Sequence, residues 1–335
     1  MLQSLWKGWD VTLPPTLLEG IEEMSKHLNS RQFLGNSLVN PAAGALVAAK
    51  ASAEPAVDFP TANLGGTRVS RLIIGGNQFS GWSHSRDLPY LRELFRAYSS
   101  DERVMDTLEL CEEMGINTML SGGSRHLNKY WKERGGRIQW IAQVHPKTTD
   151  LTTNIRQAID NGAVAAYVQG GIGDSFVKAG RVDLLGKAVD FIKQNGLAAG
   201  IGGHSIEVPI AVEKAGIPVD FYMKTLHHGN YWSATPKRER VDFNVDSGSL
   251  LDHDNIWSIT PERTVEVMKT VKKSWIAFKV LAAGAIHPRD GFKYAFENGA
   301  DFVCAGMFDF QIRENVLIAK DILSATTRRQ RPWIA

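Results

Sequence analysis

Five helix-like stretches of this chain end in the same way, with a glycine followed at once by an apolar segment. They are Glu113-Met114-Gly115-Ile116-Asn117, Asp160-Asn161-Gly162-Ala163, Gln194-Asn195-Gly196-Leu197, Lys214-Ala215-Gly216-Ile217 and Glu297-Asn298-Gly299-Ala300. A glycine past the last helical turn supplies a left-handed residue that ends the helix and releases the chain into the next element. Short, almost uninterrupted apolar runs follow, as expected of parallel strands covered on both faces. Strands are expected at 71–75, 118–120, 139–144, 165–169, 198–201, 221–225, 275–280 and 301–305. Amphipathic helices are expected at 101–114, 152–161, 183–195, 206–215, 261–271, 288–298 and 311–324; Val104, Leu108, Cys111 and Met114 mark the buried stripe of the first. Eight β/α units over roughly 255 residues predict an α/β chain closed into a (β/α)8 TIM barrel. An open doubly wound sheet is the alternative, but no Gly-x-Gly-x-x-Gly follows the first strand.

The barrel is assigned to 64–325, with an extension at 1–60 and a tail at 326–335. Residues 24–53 read as an export signal. Lys26, His27 and Arg31 form its basic start, 33–49 a mildly apolar run, and Ala51-Ser52-Ala53 a cleavage pattern of small residues. Asn29-Ser30-Arg31-Gln32-Phe33-Leu34 resembles the twin-arginine export motif with Ser30 in place of the first arginine. The expected destination is periplasmic or extracellular, with a mature chain starting at or near Glu54; without a functional signal the chain stays cytoplasmic. The net charge of +2 offers no electrostatic footprint for nucleic acid, and no apolar run reaches the ~20 residues of a membrane-spanning helix. Cys111 and Cys304 are expected to be buried free thiols. The expected partner is a small-molecule substrate; the oligomeric state is left open.

The barrel resembles the aldo-keto reductase superfamily over about 64–325. The resemblance rests on Val69-Ser70-Arg71-Leu72-Ile73-Ile74-Gly75-Gly76 at the first strand and Glu113-Met114-Gly115-Ile116-Asn117 before the second. Gly196 through Ser205 resembles the fifth strand and its loop, Phe278-Lys279-Val280-Leu281-Ala282-Ala283-Gly284 the seventh, and Gln311-Ile312-Arg313-Glu314-Asn315 the Glu-Asn pair near the adenosine end. The resemblance implies NADP as a possible cofactor, held by Phe278, Lys279, Gly284, Glu314 and Asn315. It also implies an Asp-Tyr-Lys-His tetrad, which this sequence replaces. The aspartate position falls on Leu120, the tyrosine near Arg125 or His126, the lysine on Gln143 and the histidine on Gln169. Gly202-Gly203 stands where the family holds the nicotinamide amide. A glutamine cannot tune a tyrosine as a lysine does, so the standard proton transfer is lost. Tyr130 is a conceivable substitute acid.

Histidines gather at the expected strand ends: His145 after the third, His204 after the fifth, His227 and His228 after the sixth, His287 after the seventh. Imidazoles there serve acid–base chemistry or hold a divalent metal, with His145, His204 and His227 as the metal candidates. No His-x-His or His-x-x-x-His spacing supports a metal within one segment. Alternation along the sixth strand turns Phe221, Met223, Thr225 and His227 inward and Lys224 away from the barrel centre. The catalytic candidates are therefore His145, His204, His227, Asp174, Gln143 and Gln169. The loop 229–259 has the length of a functional lid. With Trp82 of the first loop and His126 of the second, its Trp232 and Trp257 supply aromatic and polar residues suited to a sugar. Three readings follow. The first is a barrel enzyme with a rebuilt active site doing oxidoreductase-related chemistry on a small carbonyl or carbohydrate. The second is a metal-assisted lyase, isomerase or hydrolase. The third is a non-catalytic ligand-binding barrel.

Overall fold

The computed structural model describes residues 57–84, 88, 90–240 and 258–335. The expected signal at 24–53 and Trp257 lie outside the described residues. An antiparallel hairpin, β1 (Thr61–Leu64) and β2 (Thr67–Ser70), comes first. Eight parallel strands follow: β3 (Leu72–Gly75), β4 (Thr118–Ser121), β5 (Gln139–Val144), β6 (Ala165–Val168), β7 (Ala198–Gly203), β8 (Phe221–Thr225), β9 (Ser274–Phe278) and β10 (Phe302–Gly306). Each pairs with the next and β10 pairs with β3, with Cys304 opposite Ile73, so the ring is closed. This is a (β/α)8 TIM barrel.

The glycine punctuation works as expected. Gly115, Gly162, Gly196, Gly216 and Gly299 all have positive φ, from 65° to 105°. In each case the next amide reaches back five residues, as in Ile116 N–H to Cys111 O at 2.8 Å and Ala300 N–H to Ala295 O at 3.1 Å. That bond and the glycine's own i−3 bond form the Schellman pair that satisfies the last helical carbonyls. Gly180 repeats the pattern, Arg181 N–H bonding Phe176 O at 2.7 Å.

The apolar side chains form two cores. One fills the space between strands and helices, from Leu72, Ile74 and Met119 round to Val303 and Ile312. The other fills the ring itself with Ile73, Leu120, Ile141, Tyr167, Phe221, Met223, Ile276, Phe302 and Cys304, and Leu64 and Val69 of the hairpin join it. The Phe221 ring occupies the place where a side chain on Gly200 would begin, so β7 can carry only glycine there.

The tail folds back against the chain. Asp301, fully buried just before β10, accepts hydrogen bonds from Trp275 N–H at 2.9 Å, Ile334 N–H at 3.0 Å and Arg331 Nη2 at 2.5 Å. Arg71 and Arg329 lie against the Trp333 ring, 3.8 and 3.2 Å from its centre. Arg71 also donates to the Asp301 carbonyl at 2.8 Å.

Some elements differ from expectation. Tyr90–Tyr98, Arg125–Arg134 and Gly170–Lys178 are helices that the apolar pattern did not single out. The first buries none of its residues, and the last opens on Gly170-Gly171-Ile172-Gly173, poor helix formers that tertiary packing overrides. The seventh barrel strand ends at Phe278, short of the expected 280, because Lys279 turns left-handed with φ 58°.

Candidate functional site

The C-terminal ends of the strands carry the polar groups. At their centre is a pair that two glycine-rich segments create by packing backbone on backbone. The helix Gly170–Lys178 lies so close to the end of β7 that a Cβ on Gly173 would collide with the Gly202 carbonyl oxygen. A Cβ on Gly170 would stand 3.0 Å from Cε1 of His204. This approach sets the Asp174 carboxylate over the first residues after β7. It accepts His204 N–H at 3.0 Å, Ser205 N–H at 2.9 Å and the His204 ring Nδ1–H at 2.8 Å.

The bond to Asp174 places the His204 proton on Nδ1, so the basic lone pair belongs to Nε2. The imidazole is only 6% exposed. Burial, opposed by the Asp174 hydrogen bond and aided by the charge of Lys279, takes it down to about 4, so it is neutral at physiological pH. The Phe278 ring stands edge-on to it, with centres 5.4 Å apart. Beyond Phe278 the chain enters the left-handed region at Lys279 (58°), Ala282 (44°), Ala283 (56°) and Gly284 (92°). Three of these are not glycine, and such a conformation costs roughly 1–3 kcal/mol per residue, strain that tends to collect at functional sites.

A second chain of contacts runs along β5 and β6. Tyr167 O–H, inside the ring, donates to Gln143 Oε1 at 2.7 Å, and the Gln143 amide nitrogen lies 3.3 Å from His145 Nε2. The position that the family resemblance gives to lysine thus aligns a rim histidine. His145 is exposed and also borders a polar cleft of about 250 Å³ with Lys147, Asp150 and Asn154.

The other candidates have structural partners. His227 is buried and both ring nitrogens meet backbone: Nδ1 donates to His228 O at 2.7 Å, and Nε2 accepts Ser258 N–H at 2.7 Å. With Arg240 donating to Ser258 O at 3.3 Å, it ties the two ends of the long loop together. Gln169 caps the helix after β6, its Oε1 accepting Ile172 N–H at 3.0 Å. His287 caps Pro288–Glu297 through Arg289 N–H at 3.2 Å. Tyr130 is buried in the outer layer and donates to Glu112 at 2.9 Å. His126 is half-buried, its Nδ1 3.6 Å from Asp101. Among the described residues no three His, Cys, Asp or Glu side chains group so as to hold a metal ion, so His145, His204 and His227 do not form one there.

Trp232 is 94% exposed, and Trp82, 50% exposed, lies under the Arg92 guanidinium at 4.4 Å. At the adenosine end the two expected residues diverge. Glu314 is exposed, but Asn315 is buried in the helix packing, its Nδ2 without a hydrogen-bond partner among the described residues. With Phe278 set against His204, and with Gly202 and Gly203 packed on Gly170 and Val208, these residues do not fit NADP held in the family's manner.

Sequence reading missed Lys224 as a buried charge, the His227 lock and the tail clamp. The first had a signal, an ionisable residue inside an apolar strand; the others depend on partners far along the chain.

No protein-family model matches the sequence, and no curated protein does. Among solved structures, two described as a "putative aldo-keto reductase" from Pseudomonas aeruginosa are similar to this chain. Both have a TM-score of 0.53 and 16% identity over 78% of this chain, covering 95% and 96% of theirs. An N-acetylmannosamine-6-phosphate 2-epimerase from Clostridium perfringens aligns at TM-score 0.40 and 16% identity, over 74% of this chain and 92% of its own, too low to carry an argument. What the likeness shows is the aldo-keto-reductase-like barrel fold.

Proposed function

We propose that this chain is an enzyme on an aldo-keto-reductase-like barrel, with a rebuilt active site that moves a proton on a small polar carbonyl compound or carbohydrate. The observation that carries this reading is the His204–Asp174 pair at the strand ends. A half-buried carboxylate orients an imidazole, fixes its tautomer and stabilises the imidazolium formed when Nε2 takes a proton. The step is removal of a proton from the carbon beside a carbonyl. The C–H bond breaks, its electron pair moves into the enolate, and the proton passes to His204 Nε2. Lys279, whose charge already bears on His204, is the cation assigned to the enolate oxygen. Return of the proton to the opposite face of the same carbon completes an epimerisation; return to the neighbouring carbon, with the hydroxyl proton of the first carbon passing to the enolate oxygen, completes an isomerisation. No step is routed through a dinucleotide, because the residues present do not fit NADP held in the family's manner.

Trp232 and Trp82 supply aromatic faces on which a sugar ring can stack. Export through the signal at 24–53 belongs to the same proposal, and N-terminal sequencing of the mature protein should find Glu54 or a near neighbour. The chemistry is tested without knowing the product. A panel of aldoses, ketoses and small hydroxyketones is incubated in D2O and deuterium wash-in beside the carbonyl is followed by NMR. The wild type exchanges at least one of them; His204→Gln and Asp174→Asn lose at least about 100-fold in rate. Equal exchange in wild type and His204→Gln overturns the proposal. NADPH binding in the low micromolar range, followed by fluorescence, would favour the oxidoreductase reading instead.

A further inference from the structure

Lys224 takes no part in the step just described, yet it is 1% exposed in the middle of a strand. Buried lysines are rare unless something holds them. Two hydrogen bonds do so here: Nζ donates to Thr225 Oγ1 at 2.7 Å and to Thr225 O at 2.9 Å. Thr225 in turn donates its hydroxyl to the backbone carbonyl of His204, at 3.1 Å. The Lys224 carbonyl accepts Trp275 Nε1–H at 3.2 Å, which ties the same residue to β9. The carboxylate whose charge bears on it is Asp174, which also accepts the His204 ring. Among the described residues, the charged and titratable groups bearing on this pocket come from three elements: Asp174 on the helix after β6, His204 at the end of β7 and Lys279 at the end of β9.

We propose that Lys224 is a positioning residue for the His204–Asp174 pair, holding the His204 backbone through Thr225 and setting a buried cation whose charge bears on the Asp174 carboxylate. It does not reach substrate. It acts by claiming part of the Asp174 charge, so that less of that charge is left to draw a second proton onto His204. Lys279 works on the same imidazole from the mouth and is the larger of the two cationic influences. Burial brings the Lys224 ammonium itself down to about 7, against the pull of Asp174. It is therefore still charged across the acid range in which the imidazole titrates.

This inference rests on the proposed role of His204, but its test does not use activity. The His204 ring is followed by nitrogen NMR in the full chain, from about pH 8 down towards pH 4. In the wild type the ring keeps one protonated and one bare nitrogen until close to the lower limit. In Lys224→Met its midpoint rises by about half a unit to one unit, a three- to tenfold gain in proton affinity. Lys224→Gln, which keeps a hydrogen-bonding head without the charge, gives the same rise. An unchanged midpoint in either variant overturns the proposal. If neither variant folds, lysine side-chain NMR of the wild type decides. A single ammonium titrating near 7 that moves lower in Asp174→Asn supports the proposal; 18 lysines all at the ordinary value overturn it. If His204→Gln keeps full exchange activity while Lys224→Met still shifts the ring, the functional reading fails and the coupling stands.

Discussion

Asp301, buried just before β10, and Asp174, half-buried over the end of β7, are carboxylates satisfied by different kinds of partner. Asp301 meets two backbone amides and Arg331, with Arg329 at 3.9 Å. Arginine stays charged at any ordinary pH; even Arg329, brought down by burial, remains at about 10. Asp174 also meets two backbone amides, but its side-chain partner is an imidazole, and the neighbouring cation is a lysine near neutrality. A carboxylate paired with a permanent cation holds the chain in place. One paired with groups that can exchange protons can take part in a reaction. The contrast also explains why one barrel tolerates two such centres: the first fixes the tail against the ring, and the second is left free to change protonation state.

The largest effect expected from this contrast lies at Asp301. Asp301→Ala leaves Arg331 buried without its countercharge and should cost about 3–5 kcal/mol in urea unfolding. A loss below about 1 kcal/mol would show that the clamp is ornamental and the comparison empty. Next comes pH. His204 moves from 6.5 in the unfolded chain to about 4 in the folded one. Between those values the unfolded state binds a proton that the folded state refuses, so stability is complete above about 6.5 and falls by roughly 3 kcal/mol as pH drops to 4. Subtracting the pH–stability curve of His204→Gln from that of the wild type isolates this contribution. A flat difference would place the imidazole in water. The smallest effect is at Trp232. Trp232→Ala should change stability by less than about 0.5 kcal/mol, yet raise KM for a sugar substrate about three- to tenfold with kcat kept. Unchanged KM would remove stacking on Trp232 from the account.

The barrel was legible because its signals are local. Each helix end announces itself within five residues, and each strand is a short apolar run between two such ends. The site was legible only in part. His204 and Asp174 could be nominated from their places after β7 and in the loop after β6, but 30 residues separate them. What joins them is a backbone contact between glycines, and no residue pattern reports that directly. His227 looked like a reactive rim histidine because its partner, Ser258 N–H, lies 31 residues away across a loop. Alternation correctly turned Lys224 away from the centre of the ring. It could not show that the outside of a barrel strand, covered by helices, is as dry as the inside. Gln169 could have been read as a cap from the residues that follow it, had the run of glycines been accepted as a helix.

The contact of Gly170 and Gly173 with the end of β7 has a practical consequence. The positions that set the geometry of the reacting pair have no side chains of their own, and even one added methyl group at Gly173 would collide with the Gly202 carbonyl and force a shift next to Asp174. A saturation library should therefore show a band of intolerance at plain glycines as sharp as that at the histidine. An engineer seeking new substrates would do better to leave that band intact and vary the aromatic rim.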